Sequence, residues 1–312
     1  MSVLGQIAKY GRKRELIWRY GFNLKPSVNY QFYSQNNLSA VARKIVGTLN
    51  RDGIAVTSID ELAETKSCFD EMDATVENLL ENRRDELAEL KRRANDKKTI
   101  GEKTFNVELL GSPLEFSAES VFARFALQET LLDVANAYFG MFAKMRYYNV
   151  WNTFSTSDKP RESQLWHYDR EDNYILKVFV YLKDVGSGAG PFTYAPKTHR
   201  KGVLRGREPE FFMENGVRRT TDEQMSAIVP QSDWLRATGA KGTIIFADTR
   251  GFHKGGEAKT DDRLMFTAMF TSPASESKRL LTFPKNMPLT SLSEKQIAAL
   301  EVSRSAGILA RE

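Results

Sequence analysis

Two of the three histidines in this 312-residue chain, His167 and His253, stand beside β-rich runs in its second half, so any fold is constrained by where those runs meet. The runs are Met145 to Asn152, Leu176 to Leu182, Thr243 to Phe246 and Arg263 to Phe270, and their β-branched and aromatic content suits strands. If Leu165-Trp166-His167-Tyr168-Asp169 is extended, alternate side chains share a face and rise about 3.3 Å per residue. His167 and Asp169 then point the same way, about 7 Å apart at their backbones. A fold that brings His253 to that face collects two imidazoles and one carboxylate on one side of a metal ion. That donor set suits non-haem Fe(II) and leaves other coordination positions open, although it also suits zinc. Arg263, ten residues past His253, offers a planar guanidinium fork to a carboxylate. His199, in Ala195-Pro196-Lys197-Thr198-His199, sits in a turn and is expected to be a hydrogen-bonding loop residue, not a ligand.

These residues, with the strand Leu176 to Leu182 and the turn Gly190-Pro191-Phe192 leading to His199, resemble the Fe(II)/2-oxoglutarate-dependent oxygenases of the phytanoyl-CoA dioxygenase-like family. The resemblance spans about residues 145 to 272. It implies a mainly β fold with α additions, a double-stranded β-helix (jelly roll, cupin-like) core flanked by N-terminal helices. It also implies iron held by His167, Asp169 and His253, with 2-oxoglutarate anchored by Arg263 and O2 as co-reactant. By position in that family, Asn149 is expected at the cosubstrate pocket. On the strand from Leu176, the residues Lys177, Phe179 and Tyr181 share one face. If that face points inward, Phe179 packs against 2-oxoglutarate and Lys177 adds a cation; if outward, Lys177 extends into solvent. The implied reaction oxidises a C–H bond of a small molecule, by hydroxylation, desaturation or ring formation, with succinate and CO2 as coproducts. No separate acid or base is needed.

One domain over residues 1–312 is expected, although the length alone allows two. Residues 1–142 form a mostly helical region, 143–272 the β core with an insertion at 202–240, and 273–312 a C-terminal extension. A 41% hydrophobic and 27% charged composition permits a sizeable core. The net charge of +5 slightly favours acidic ligands and does not by itself indicate nucleic acid. The arginine-rich insertion leaves an anionic substrate open. A lone cysteine, Cys68, excludes an internal disulfide and argues against a Cys-rich zinc site. No apolar run approaches the roughly 20 residues that span a bilayer, and no charged start precedes an apolar core at the N-terminus, so a cytoplasmic location is expected. Oligomeric state is left open.

Ile7 to Tyr20 reads as a basic helix, packed on the body or in weak peripheral contact with a membrane. Further helices are expected at Ser39–Leu49, from Ser58 with Glu61 as its capping box, over the charged stretch Val76–Lys98, over Ser117–Phe142, and over Ser291–Leu309 capped near Ser293. Ile54 to Thr57 reads as a strand, and Asp184 to Gly190 as a hairpin. Two rival readings stand beside the oxygenase. One is a non-oxidative cupin-like metalloprotein, a zinc hydrolase or isomerase. The other is a membrane- or partner-binding protein whose metal site is vestigial.

Overall fold

The computed structural model describes residues 14–33, 38–95, 105–284 and 292–302. The expected helices over Ile7–Tyr20, Val76–Lys98 and Ser291–Leu309 each fall partly outside those residues.

The first strand is set up by the helix Ala40–Asp52. The Ser39 hydroxyl accepts from the Ala42 amide at 3.1 Å, and Ala42, Ile45 and Leu49 form the buried stripe. Gly53 closes the helix at φ +81°, a conformation that costs little only for glycine, and β1 (Ile54–Ser58) begins at once. A Cβ on Gly53 would meet the Tyr194 hydroxyl and lie 2.6 Å from His199 Nδ1. Gly53→Ala is therefore expected to destabilise the protein by about 2–4 kcal/mol, from left-handed strain plus overpacking. Thermal unfolding measures it, and an unchanged melting temperature would contradict the geometry.

Six strands form the major sheet, in the order β1, β10 (Thr243–Asp248), β5 (Leu176–Tyr181), β12 (Arg263–Thr271), β4 (Lys144–Thr153) and β2 (Asn106–Glu108). Facing it, β11 (His253–Lys254), β6 (Thr193–Tyr194) and β9 (Leu235–Arg236) form a minor sheet. Single bridges extend the minor sheet, with His167 pairing His253 and Trp166 pairing Thr220. Beside these, β3 (Leu114–Glu115) pairs with β13 (Leu281–Thr282), and β7 (Phe212–Glu214) with β8 (Val217–Arg219). This is the expected double-stranded β-helix, with helices on one side. The long strands read as near-continuous apolar runs because both faces are covered. Val178, Val180, Ile244 and Phe246 pack on the helical layer, while Phe179, Tyr181, Ile245 and Met265 pack between the sheets. Outside the minor sheet, Trp166, Met225, Val229, Trp234 and Phe252 make a third cluster, to which the 202–240 insertion contributes Met225, Val229 and Trp234.

Several local expectations change. Both edges of the major sheet, β1 and β2, come from the region expected to be mostly helical. Ser58 ends β1 and does not cap a helix: the next one is Lys66–Asn82, and Glu61 accepts from the Thr57 hydroxyl at 2.8 Å. The charged stretch is two helices, Lys66–Asn82 and Arg84–Ala94, broken at Arg83, whose guanidinium reaches the Leu109 carbonyl at 2.9 Å. Ser117–Phe142 is likewise divided into Val121–Ala126 and Glu129–Phe139. Asp184–Gly190 is no hairpin, because β5 and β6 belong to different sheets and the segment crosses between them. The last helix is Glu294–Leu300, capped by Ser293 as expected. Among the described residues no helix is long and apolar enough to cross a membrane.

Candidate metal centre

His167 and His253 face one another across the minor sheet, exchanging both backbone bonds (His167 N to His253 O 3.0 Å, His253 N to His167 O 2.9 Å). Directly opposed residues put their side chains on one face, and the two imidazole centroids lie 4.3 Å apart. Asp169, two residues along the same chain, is fixed by its amide bond to Thr249 O at 2.8 Å. One ligand atom from each of His167, Asp169 and His253 falls within 4.8 Å of the others.

Both imidazoles are oriented alike. His167 Nδ1 lies 2.9 Å from Leu165 O, and His253 Nδ1 lies 3.0 Å from Gly251 O. A carbonyl only accepts, so each Nδ1 carries the proton and each Nε2 keeps its lone pair, the arrangement in which backbone oxygens position metal-ligating histidines. Burial holds His167 well below the usual histidine value, helped by neighbouring His253, and burial also lowers His253. Burial alone would raise the Asp169 carboxyl, but the Lys177 ammonium overrides it and keeps the group ionised far below the usual carboxylate range. Its partner is the Lys177 ammonium, 2.7 Å from Oδ2. Two neutral imidazole nitrogens and a carboxylate converging from one side fit a 2-His-1-carboxylate ion site.

His199 is also lowered by burial, so all three histidines of the chain resist protonation in the native state. The unfolded chain takes up those protons near pH 6.5, so the contribution to stability is complete above that pH and is lost as pH falls below it. Asp169 stays ionised throughout that window and adds nothing to the slope. Metal-free protein is expected to melt at a lower temperature at about pH 5.5 than at about pH 7.5; equal or higher melting at the acid pH would contradict the burial of the neutral rings.

A cavity of about 750 Å³ opens onto the three residues. Arg263 lies in its wall, 6% exposed, its Nη1 donating to the carbonyls of Gly190 and Gly255 and its Nη2 to Thr153 Oγ1 at 3.4 Å. Its Nε is buried without a partner, and no carboxylate neutralises it among the described residues. Phe179 and Lys177 do point inward, with the Phe179 ring centroid 4.7 Å from that of Phe192 and the two rings tilted by 38°. Lys177, read as a cation for the cosubstrate, is instead paired with Asp169. Asn149 does not line the cavity. Its amide donates to Glu108 Oε2 and to Gly111 O, both at 2.9 Å, and its oxygen accepts from the Leu110 amide. Register puts Asn149 opposite Thr267, on the cavity side of the sheet, but its amide is spent on Glu108, Gly111 and Leu110, and it is Glu108 that reaches the lining. Reasoning from sequence missed Thr267, whose buried hydroxyl has no partner, and took Arg219 of β8 only as one of the arginines of the insertion, without placing it at the site. The period of two on β12, which puts Arg263, Met265 and Thr267 on one face, could have found the first. Asn215-Gly216, at φ +49° and +76°, is the turn signal that could have found the hairpin carrying the second.

The fold is similar to that of EctD from S. alaskensis with 2-oxoglutarate and 5-hydroxyectoine (22% identity, TM-score 0.50, covering 88% of this chain and 91% of that one). The epimerase SnoN, in complex with Fe3+, alpha ketoglutarate and nogalamycin RO, matches at 16% identity and TM-score 0.47 over 81% of this chain and 93% of its own. No curated protein sequence matches significantly. A family model described as Phytanoyl-CoA dioxygenase (PhyH) matches residues 58–265, two thirds of the chain, and takes in His167, Asp169, His253 and Arg263. The chain belongs to the phytanoyl-CoA dioxygenase family, whose members use Fe(II), 2-oxoglutarate and O2.

Proposed function

We propose that the chain is a Fe(II)/2-oxoglutarate-dependent oxygenase that hydroxylates or otherwise oxidises a C–H bond of a small molecule. The observation that carries this reading is one cavity reached both by the His167, Asp169 and His253 cluster and by the guanidinium of Arg263. Fe(II) with 2-oxoglutarate and O2 supplies, when bound, the oxidative decarboxylation to succinate and CO2 and the oxidising power for the C–H bond.

The chain's own work is placement. His167, Asp169 and His253 would hold the ion from one side through two Nε2 atoms and a carboxylate oxygen. Lys177, 2.7 Å from Asp169 Oδ2, would keep that carboxylate ionised and oriented for the ion. Arg263, held in place by the Gly190 and Gly255 carbonyls, would take the far carboxylate of 2-oxoglutarate as a fork, with the free Thr267 hydroxyl as a further donor. Phe179 and Phe192 keep water from that end. A cytoplasmic setting and a single domain over 1–312 complete the proposal.

The test is succinate formation from 2-oxoglutarate in air with candidate substrate classes. Fe(II)-dependent succinate, stimulated by one class above the substrate-free rate, is expected. No Fe(II)-dependent succinate with any class would contradict the reading; zinc, which has no redox chemistry, is expected to give none.

A further inference from the structure

The metal centre and the 2-oxoglutarate anchor leave one buried charge in the cavity unused. Arg219 ends β8, and the residue after it, Thr220, bridges Trp166 through two backbone bonds of 3.1 and 3.2 Å. Continuing that antiparallel register by one residue sets Arg219 opposite His167, which on its other side is opposite His253. Directly opposed residues share a face, so His253, His167 and Arg219 form a row across three adjacent extended segments, about 5 Å apart from one to the next, aimed into the cavity.

Arg219 is 7% exposed, yet none of its nitrogens makes a hydrogen bond among the described residues, and Nε and Nη1 are fully buried. Its one ion pair is loose, 3.7 Å to Glu214 on the same hairpin, and that carboxylate already accepts from the Glu162 amide at 2.8 Å. Arg263 differs: three polar atoms of the protein hold it. A buried guanidinium without acceptors is costly unless a ligand supplies them. The lining around it is biased the same way, with five basic and three acidic side chains, one of the acids being Asp169. Glu214, with the more distant carboxylates of Glu162 and Asp169, partly offsets Arg219, which favours a single negative charge over a doubly charged phosphate.

We propose that Arg219 is the anchor for a carboxylate on the oxidised substrate, which makes that substrate a small carboxylic acid whose reacting C–H bond lies a few bonds from its carboxylate. This rests on the oxygenase reading above. Arg219 approaches from the hairpin side of the cavity, beside His167, whereas Arg263 is carried by the major sheet. The two guanidinium groups thus take different molecules: Arg263 the cosubstrate and Arg219 the substrate.

The experiment is succinate formation by the full chain with Fe(II) and 2-oxoglutarate, given matched pairs of small carboxylic acids and their primary carboxamides. Acids are expected to stimulate turnover at least 10-fold more than their amides. Arg219→Gln is expected to lose that discrimination, and Arg219→Lys to recover part of it. Arg207→Gln, exposed on the same insertion and absent from the cavity lining, should keep it. A structural role for Arg219 would lower the melting temperature of Arg219→Gln, whereas removing an unsatisfied buried charge leaves it equal or higher. Amides or amines stimulating as well as acids, no acid stimulating at all, or acid preference surviving in Arg219→Gln would each overturn the proposal. Anaerobic, Fe(II)-dependent binding of 2-oxoglutarate to the unaltered protein separates the two levels. Its presence without any acid response sinks only the role of Arg219, and its absence sinks the oxygenase reading too.

Discussion

An Asp169→Ala variant is expected to lose Fe(II)-dependent succinate formation altogether, with metal affinity reduced by more than the roughly 10- to 100-fold that outer partners of a metal site are worth. Two neutral imidazoles remain in that variant, but the one anionic donor is gone. The substitution also strands Lys177, whose ammonium sits 2.7 Å from the carboxylate with both side chains mostly buried. Breaking a buried pair from one side costs about 3–5 kcal/mol, because the surviving charge is left uncompensated. Loss of activity in Asp169→Ala alone could therefore reflect a weakened fold. The double variant Asp169→Ala/Lys177→Met removes both charges and is expected to melt closer to the unaltered protein while still failing to bind Fe(II). Fe(II)-dependent succinate from the double variant would remove Asp169 from the metal centre.

Arg263→Ala is expected to weaken 2-oxoglutarate by about 10- to 150-fold, the equivalent of one charge-assisted pair of about 1.5–3 kcal/mol. Fe(II) binding should survive, because Arg263 touches none of the three ligands and is held instead by Gly190, Gly255 and Thr153. Arg263→Lys should recover only part of the loss, since an ammonium cannot present two parallel donors to a carboxylate. The apparent affinity for 2-oxoglutarate, measured in the succinate assay, reads both. Unchanged affinity in Arg263→Ala would place the cosubstrate elsewhere in the cavity.

What the sequence disclosed and what it withheld divide along one physical line. Strand alternation is local, so His167 and Asp169 could be put on one face from their spacing, and Lys177 with Phe179 on another. The order of histidine, aspartate, histidine and arginine along β-rich runs was then enough to reach the fold and the cluster. Pairing between distant segments is not local. That Thr220 bridges Trp166, and so delivers Arg219 to the row of His167, depends on a register that no window of the insertion contains. Asn149 illustrates the same limit: its strand and face were placed, but the edge strand β2 and the turn after it, which take up its amide through Glu108, Leu110 and Gly111, were not. Helix ends were also missed, as at Arg83, where a charged stretch that reads as continuous divides into two helices and the guanidinium bonds the distant Leu109 O.

Anaerobic titration of 2-oxoglutarate, with and without Fe(II), bears most directly on the claim that His167, Asp169, His253 and Arg263 form one binding unit. One equivalent is expected to bind per chain only when Fe(II) is present, and to be lost in Asp169→Ala/Lys177→Met. Binding of equal strength without metal, or undiminished in that double variant, would contradict the account.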